Sequence, residues 1–309
     1  MAVSQHVAII GSGLIGRAWA MIFSRAGWQV ALHDTAPGVA EAAIGLCAEG
    51  LKDLAAQGLC DDPVAAASRI RAASSLADAV SKADLVQENG PEKLEIKQAL
   101  FAELDRLAPP DCILASSSSA IRTSLFTEAL PGRHRCLVAH PVNPPHLIPL
   151  VELSGADWTS AEVIARARAI YASIGQVPIA VLKEIEGFVL NRLQGALLAE
   201  AFRLVSEGYV TPQDLDHTVK DGLGLRWSFM GPFETIELNA PGGIADYCAR
   251  YTGFYKRLAA DPASPEVYGE AATGRILSQW GPAEGLPEKM RARDRRLAAL
   301  RAHKQSQKS

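Results

Sequence analysis

Residues 6–34 read HVAIIGSGLIGRAWAMIFSRAGWQVALHD, and this stretch decides the fold. HVAII is a continuous apolar run of strand length, the pattern of a strand buried on both faces of a parallel sheet. GSGLIG follows at once. Arg17 to Arg25 then reads as a helix with Ala18, Ile22 and the neighbouring Trp19 and Phe23 on an apolar stripe, closed by Gly27. A second strand, WQVALHD, ends in Asp34. A glycine triplet alone is a weak signal. Set between strand and helix, with an acid about 20 residues on, it marks a dinucleotide-binding turn. Gly11 permits the tight turn, Gly13 clears the approach of a pyrophosphate, and Gly16 lets helix pack on strand. Leu14 and Ile15, between Gly13 and Gly16, belong to the same cofactor-binding turn, and the amino end of the helix faces the phosphates. Asp34 would accept hydrogen bonds from the adenosine ribose hydroxyls. It would repel a 2′-phosphate, and Thr35, Ala36 and Pro37 offer no cation to hold one, so NAD is expected over NADP.

Working outward, residues 38–108 read as helices broken at Gly58 and at Asp61 to Pro63, with a strand DLVQEN at Asp84 to Asn89. KLEIKQALFAELDRL is amphipathic through Leu94, Leu100, Phe101, Leu104 and Leu107 and is stopped by Pro109 and Pro110. Glu92 and Lys97 lie at the carboxyl end of that strand, where ligands sit in doubly wound sheets, although solvated surface charge is the simpler reading of either alone. CILA, at Cys112 to Ala115, runs into four serines, Ser116 to Ser119, which suit a substrate or cofactor oxygen or a plain structural turn. The strand RCLVAH delivers His140. PVNPPHLIP bars a helix, and IPLVE leads to Glu152. If the chain reverses there, a carboxylate meets one imidazole nitrogen. That contact fixes the tautomer, favours the protonated ring and frees the other nitrogen for acid–base work. A half-buried loop histidine and a solvated glutamate would read the same way. A helix from about Ser160 to Ile174 and a strand VPIAVL complete the βαβ series near Glu184.

From Gly187 the pattern is helical. GFVLNRLQGALLAEAFRLVSE is apolar on more than one side, which predicts a central helix buried by others, with Asn191 near its start. Thr211, Pro212 and Asp214 give the signature of a helix amino end. The closing EKMRARDRRLAALRAHK reads as a solvated basic helix. The expected organisation is α/β: a Rossmann-type doubly wound sheet over residues 1–186, then an all-α domain over 187–309.

The 309 residues suffice for two domains with substantial cores, and 48% hydrophobic with 21% charged residues is ordinary globular composition. A formal charge of −3 gives no reason to expect nucleic acid or an anionic membrane as partner. Five cysteines without CxxC or Cys/His spacing point to reduced thiols in the cytoplasm and to no metal site. VAIIGSGLIGRAWAMIF is hydropathic enough for an anchor, but its glycines, Arg17 and lack of a basic leader argue against one.

These pieces together resemble the 3-hydroxyacyl-CoA dehydrogenase family, and within it the lambda-crystallin or L-gulonate 3-dehydrogenase branch. The likeness rests on GSGLIGRAWAMIF, the SSSS run, VAHPVNPPHLIPLVEL, VLKEIEGFVLNRLQ, LVSEGYVTPQDLD and DGLGLRWSFMGPFET, in the family's order and spacing. The resemblance implies that His140 and Glu152 are the catalytic pair and that Ser119 and Asn191 hold the reacting oxygen. It also implies that Asn143 and Ser119 lie on the cofactor side, that Glu92 and Lys97 contact the nicotinamide half of NAD, and that the protein is a homodimer through its helical domain. Two departures bear on the substrate. Thr35 to Ser68 contains only Lys52 against five acids, where acyl-CoA members carry several basic residues for the CoA phosphates. Arg226, in LRWSF before MGPF, suits a bidentate grip on a free carboxylate. The expectation is a free 3-hydroxy acid, L-gulonate by resemblance. A 3-hydroxyacyl-CoA ester, carnitine and a non-catalytic crystallin-like role stand as alternatives.

Overall fold

Successive residues of a strand face opposite sides of its sheet, and here both sides are covered. The computed structural model describes residues 5–307. Its sheet comprises β1 (His6–Ile10), β2 (Gln29–His33), β3 (Ile70–Ala72), β4 (Leu85–Glu88), β5 (Ile113–Ser116), β6 (Cys136–Pro141), β7 (Leu150–Ser154) and β8 (Val177–Val181). The spatial order is β3-β2-β1-β4-β5-β6-β7-β8, with β1 to β6 parallel, β7 antiparallel to β6, and β8 parallel to β7. Val7 and Ile9 enter one apolar core with Trp19 and Phe23 of the helix Leu14–Arg25, Leu51 of Val39–Ala56 and Tyr171 of Ala161–Ser173. Ala8 and Ile10 enter a second with Phe101 and Leu104 of the helix Leu94–Leu107 and Phe126 of Thr123–Thr127. This is the doubly wound arrangement expected, and its strand order reverses between β1 and β4. That reversal opens a crevice at the carboxyl ends of the strands.

The same alternation fixes which polar side chains share a face. Val86, Leu114, Cys136 and Val138 belong to the second core, so Glu88, Ser116 and His140, each an even step further along its strand, face that side too. Strand parity thus aligns the chemistry.

The chain forms two compact units. One comprises the chain up to Val189 and resumes at Glu288; the other is Leu190–Pro287 and is helical. Two expectations are corrected here. The basic C-terminal helix Leu286–Ser306 belongs almost wholly to the sheet unit, where Leu297 and Ala298 pack on the first core and Arg301 is buried. The helix predicted from Gly187 begins instead at Leu190, and Leu193, Leu197 and Leu198 on it are exposed, with Val205 its buried residue. Within the helical unit its main packing partners are Pro265–Tyr268 and Glu270–Trp280, too few to enclose a helix on all sides. Leu225, Phe229, Phe233 and Leu238 of the same unit are also exposed. No helix among the described residues is long and apolar enough to cross a membrane.

Candidate active site

At the end of β1 the backbone turns with φ +90° at Gly11, a conformation that favours glycine, and the Gly11 amide donates to the His33 carbonyl at 2.8 Å. A Cβ on Gly16 would lie 1.9 Å from the Gly11 carbonyl oxygen, whereas one on Gly13 would meet nothing within 4 Å. Two glycines therefore close the turn and the third keeps a space open at the amino end of the helix Leu14–Arg25. Ser12 in the same turn is buried, and its hydroxyl has no partner among the described residues. An open cradle, an orphaned hydroxyl and a helix amino terminus together fit a bound pyrophosphate. Asp34 follows β2 and accepts from the Ser12 amide at 2.8 Å and the Ala36 amide at 3.0 Å, which ties it to the glycine turn.

The ends of β4 and β5 carry a polar network. Lys97 is 1% exposed, and its Nζ lies 3.0 and 2.9 Å from the two carboxylate oxygens of Glu88, itself fully buried. The Ser116 hydroxyl (2.5 Å) and the Gly90 amide (2.6 Å) also donate to Glu88, and such extra donors are what a buried ion pair needs to be sustained. Glu92 sits 3.9 Å from Lys97 and accepts from the Ser118 hydroxyl and the Ala120 and Ile121 amides. Partial burial opposes its charge, but the Ser118 hydrogen bond, the Lys97 charge and the two amides together hold its carboxyl below the usual range. The four serines thereby separate. Ser116 serves Glu88, Ser118 serves Glu92, and Ser117 receives the Trp19 indole N–H and the Gln87 amide while donating to Asn89. Ser119 is the exposed member of the run, beside Ala120 on the exposed turn.

His140 and Glu152 stand directly opposite in the antiparallel register of β6 and β7. His140 Nδ1 lies 2.8 Å from Glu152 Oε2, with exposures of 4% and 0%. The carboxylate favours a proton on Nδ1, which leaves Nε2 available for proton exchange. Two residues that the sequence reading missed complete this pair. Phe188 is buried with its ring 5.3 Å from the imidazole, and the Val189 amide donates to Glu152 Oε1 at 2.9 Å. Both depend on a turn with φ +76° at Gly187 and +50° at Phe188. A left-handed phenylalanine costs on the order of 1–2 kcal/mol, here offset by its burial against the histidine. Gly187 in EGFVL was the available signal; for Glu88, it was a carboxylate within an apolar strand.

The loop Val142–Pro149 joins the two strands and exposes Asn143. Its His146 is mostly buried, and Nδ1 has no partner among the described residues. Burial is the main cause that brings its pKa down to about 4; Asp294 opposes, and Arg25, Arg301 and Arg293 reinforce. The folded state therefore holds His146 neutral, while the unfolded chain protonates it near 6.5. Its contribution is fully present above pH 6.5 and is lost as pH falls towards 4. We expect the stability gap between wild type and His146→Gln to narrow by about 2 kcal/mol between pH 7 and pH 5 in urea denaturation. A gap independent of pH would show that His146 is not held neutral.

Asn191 and Arg226 belong to the second unit. Asn191 is in the first turn of the helix Leu190–Ser206 and is partly buried; Arg226 is exposed on the short helix Gly224–Trp227, which follows a π-helical stretch at Thr218–Leu223.

The model of the 3-hydroxyacyl-CoA dehydrogenase NAD binding domain matches residues 6–185, and that of the family's C-terminal domain matches residues 187–276. Lambda-crystallin of Oryctolagus cuniculus is 41% identical, covering 97% of this chain and 98% of its own. L-carnitine dehydrogenase of Oceanobacillus iheyensis is 40% identical, covering 92% of this chain and 82% of its own. Among solved structures, the NAD+ dependent dismutase FHMPC 5-dehydrogenase superposes with a TM-score of 0.82 at 30% identity, covering 97% of this chain and 98% of that one. Sheet unit and helical unit carry the same assignment, and the protein belongs to the 3-hydroxyacyl-CoA dehydrogenase family of NAD-dependent dehydrogenases.

Proposed function

We propose that this dehydrogenase oxidises the 3-hydroxyl of a free 3-hydroxy acid, L-gulonate to 3-dehydro-L-gulonate. The observation that carries the preference for a free acid is the charge of Thr35 to Ser68, one lysine against five acids, which offers nothing to hold the phosphates of a CoA ester. Arg226, exposed on its short helix, is the proposed clamp for the carboxylate.

NAD would be held by Gly11, Gly13, Leu14, Ile15 and Gly16 at the pyrophosphate and by Asp34 at the ribose. Glu92, Lys97, Ser119 and Asn143 would lie towards its nicotinamide half. When bound, it supplies the acceptor for the carbon-bound hydride. The protein's own part is proton transfer. His140 takes the hydroxyl proton on Nε2, Glu152 stabilises the imidazolium through Nδ1, and Ser119 and Asn191 orient the reacting oxygen. The 2.8 Å Nδ1 to Oε2 contact supports this reading.

Carnitine is the second reading. Besides the similarity to L-carnitine dehydrogenases, Arg226 lies within electrostatic reach of Tyr247, whose ring centroid is 4.6 Å from that of Tyr251. Such rings suit a quaternary ammonium. Initial rates of NADH formation with L-gulonate, L-3-hydroxybutyrate, L-carnitine and 3-hydroxybutyryl-CoA separate the candidates. We expect a free acid to be preferred, and Arg226→Met to raise its KM roughly 10- to 100-fold with little change in kcat, as loss of a charge-assisted hydrogen bond requires. Preference for the CoA ester, or kinetics indifferent to Arg226→Met, would overturn the clamp.

A further inference from the structure

The C-terminal helix Leu286–Ser306 lies beyond residue 276, where the match to the model of the family's C-terminal domain ends, and its sequence is that of a solvated basic face. Arg301 breaks the pattern. It is 7% exposed, and among the described residues no carboxylate pairs with it. Its Nη1 donates to the His146 carbonyl at 2.7 Å and its Nη2 to the Gly175 carbonyl at 3.0 Å. A buried guanidinium without a counter-ion is costly, and an apolar side chain of similar length would pack at this position at less cost. What the guanidinium supplies instead is a rigid fork between two backbone segments.

Both segments flank Glu152. His146 is in the loop that leads from His140 into β7, and Gly175 is two residues before β8, which places Ile179 beside Glu152 in parallel register. The Val177 amide closes the same corner on the Pro149 carbonyl at 2.8 Å. Leu297 and Ala298, on the helix face that presents Arg301, pack on the core that holds Leu147, Val151 and Ile174.

We infer that Arg301 is a positioning residue for the proton-transfer pair: its fork fixes the loop and the strand corner that set Glu152 against His140. This rests on the reading of His140 and Glu152 as the acid–base pair. A misplacement of about 1 Å at such a pair is worth up to about 100-fold in rate.

The test compares Arg301→Met, Arg301→Lys and Arg295→Met, the last an exposed position on the same helix. One readout is the low-field imidazole N–H resonance of His140, assigned among the seven histidines by its loss in His140→Gln. The other is steady-state kinetics. We expect Arg301→Met to shift or broaden the resonance and to lower kcat roughly 10- to 100-fold, with KM and NAD affinity held within about twofold. Arg301→Lys, able to reach one carbonyl, should fall between, and Arg295→Met should match wild type. If the Met variant does not fold, the Lys variant decides, since wild-type resonance and kcat there would show that the fork is dispensable. An Arg301→Met protein that melts earlier but keeps both readouts would overturn the inference and leave a purely structural role. The resonance needs no turnover, so a wrong substrate or a wrong base leaves it interpretable.

Discussion

Replacing His140 by Gln is expected to lower kcat by about 100- to 10,000-fold while NAD binding stays at the wild-type level. Glutamine is similar in length and can still hydrogen-bond to Glu152, so the buried carboxylate is not stranded. It cannot take up a proton at neutral pH. The proposed cofactor elements sit elsewhere, in the turn from Gly11 to Gly16 and at Asp34, and the strand pairing of β6 with β7 is made by backbone groups that the substitution does not touch. Stopped-flow turnover beside a titration of NADH fluorescence measures the two quantities on one sample. A variant that turns over within a few-fold of wild type would remove His140 as the base. One that loses NAD binding as well would mean the site had been disturbed rather than its proton acceptor removed.

The parts of the molecule most legible in the sequence are those governed by local pattern. HVAII, the glycine turn and Asp34 place β1, the first helix and β2 through periodicity and the steric needs of a pyrophosphate, all within one short stretch. His140 and Glu152 are legible for a related reason. A proline-rich loop between two short apolar runs bars a helix and permits a reversal, and the reversal that the structure makes brings the two ends together. Their direct opposition in register depends on the pleat, which fixes by parity that both side chains face the second core.

Long-range pairing explains what sequence reasoning did not reach. Lys97 at the start of a helix resembles a solvated charge until β4 and β5 come together and present Glu88 and Ser116 to it. Nothing local distinguishes Ser119 from its three neighbours, because Glu88, Trp19 and Glu92, which Ser116, Ser117 and Ser118 respectively engage, lie 26 to 98 residues away. Phe188 looks like the first turn of a helix, since its apolar periodicity continues into Leu190. Only the carboxylate of Glu152, 37 residues earlier, shows why the Val189 amide is withheld from that helix. The C-terminal helix misleads most, since the four arginines Arg291, Arg293, Arg295 and Arg296 mask the inward one, Arg301.

The glycine turn yields the second large effect, and it separates folding from binding. Gly16→Ala would put a methyl group 1.9 Å from the Gly11 carbonyl oxygen and 3.3 Å from Ile9 Cγ2. The near obstacle is backbone, so relief requires the helix to leave the strand or the turn to deform. Overpacking of this kind costs about 1–3 kcal/mol where side chains can yield, and more is expected where they cannot. Gly13→Ala is the contrasting case. Its φ of −69° suits any residue and its Cβ would meet nothing within 4 Å, so cofactor-free stability should stay within about 0.5 kcal/mol of wild type. If the open space is where pyrophosphate approaches, the added methyl should still weaken NAD binding roughly 10- to 100-fold, in line with a glycine placed for close approach. Urea denaturation without cofactor and calorimetric titration with NAD give the four values. Lower stability with weak binding in Gly16→Ala, against normal stability with weak binding in Gly13→Ala, is the expected pattern. Wild-type NAD affinity in Gly13→Ala would mean that the cradle lies elsewhere, whatever Gly16→Ala does, because a destabilised turn can lose its ligand for reasons unrelated to contact.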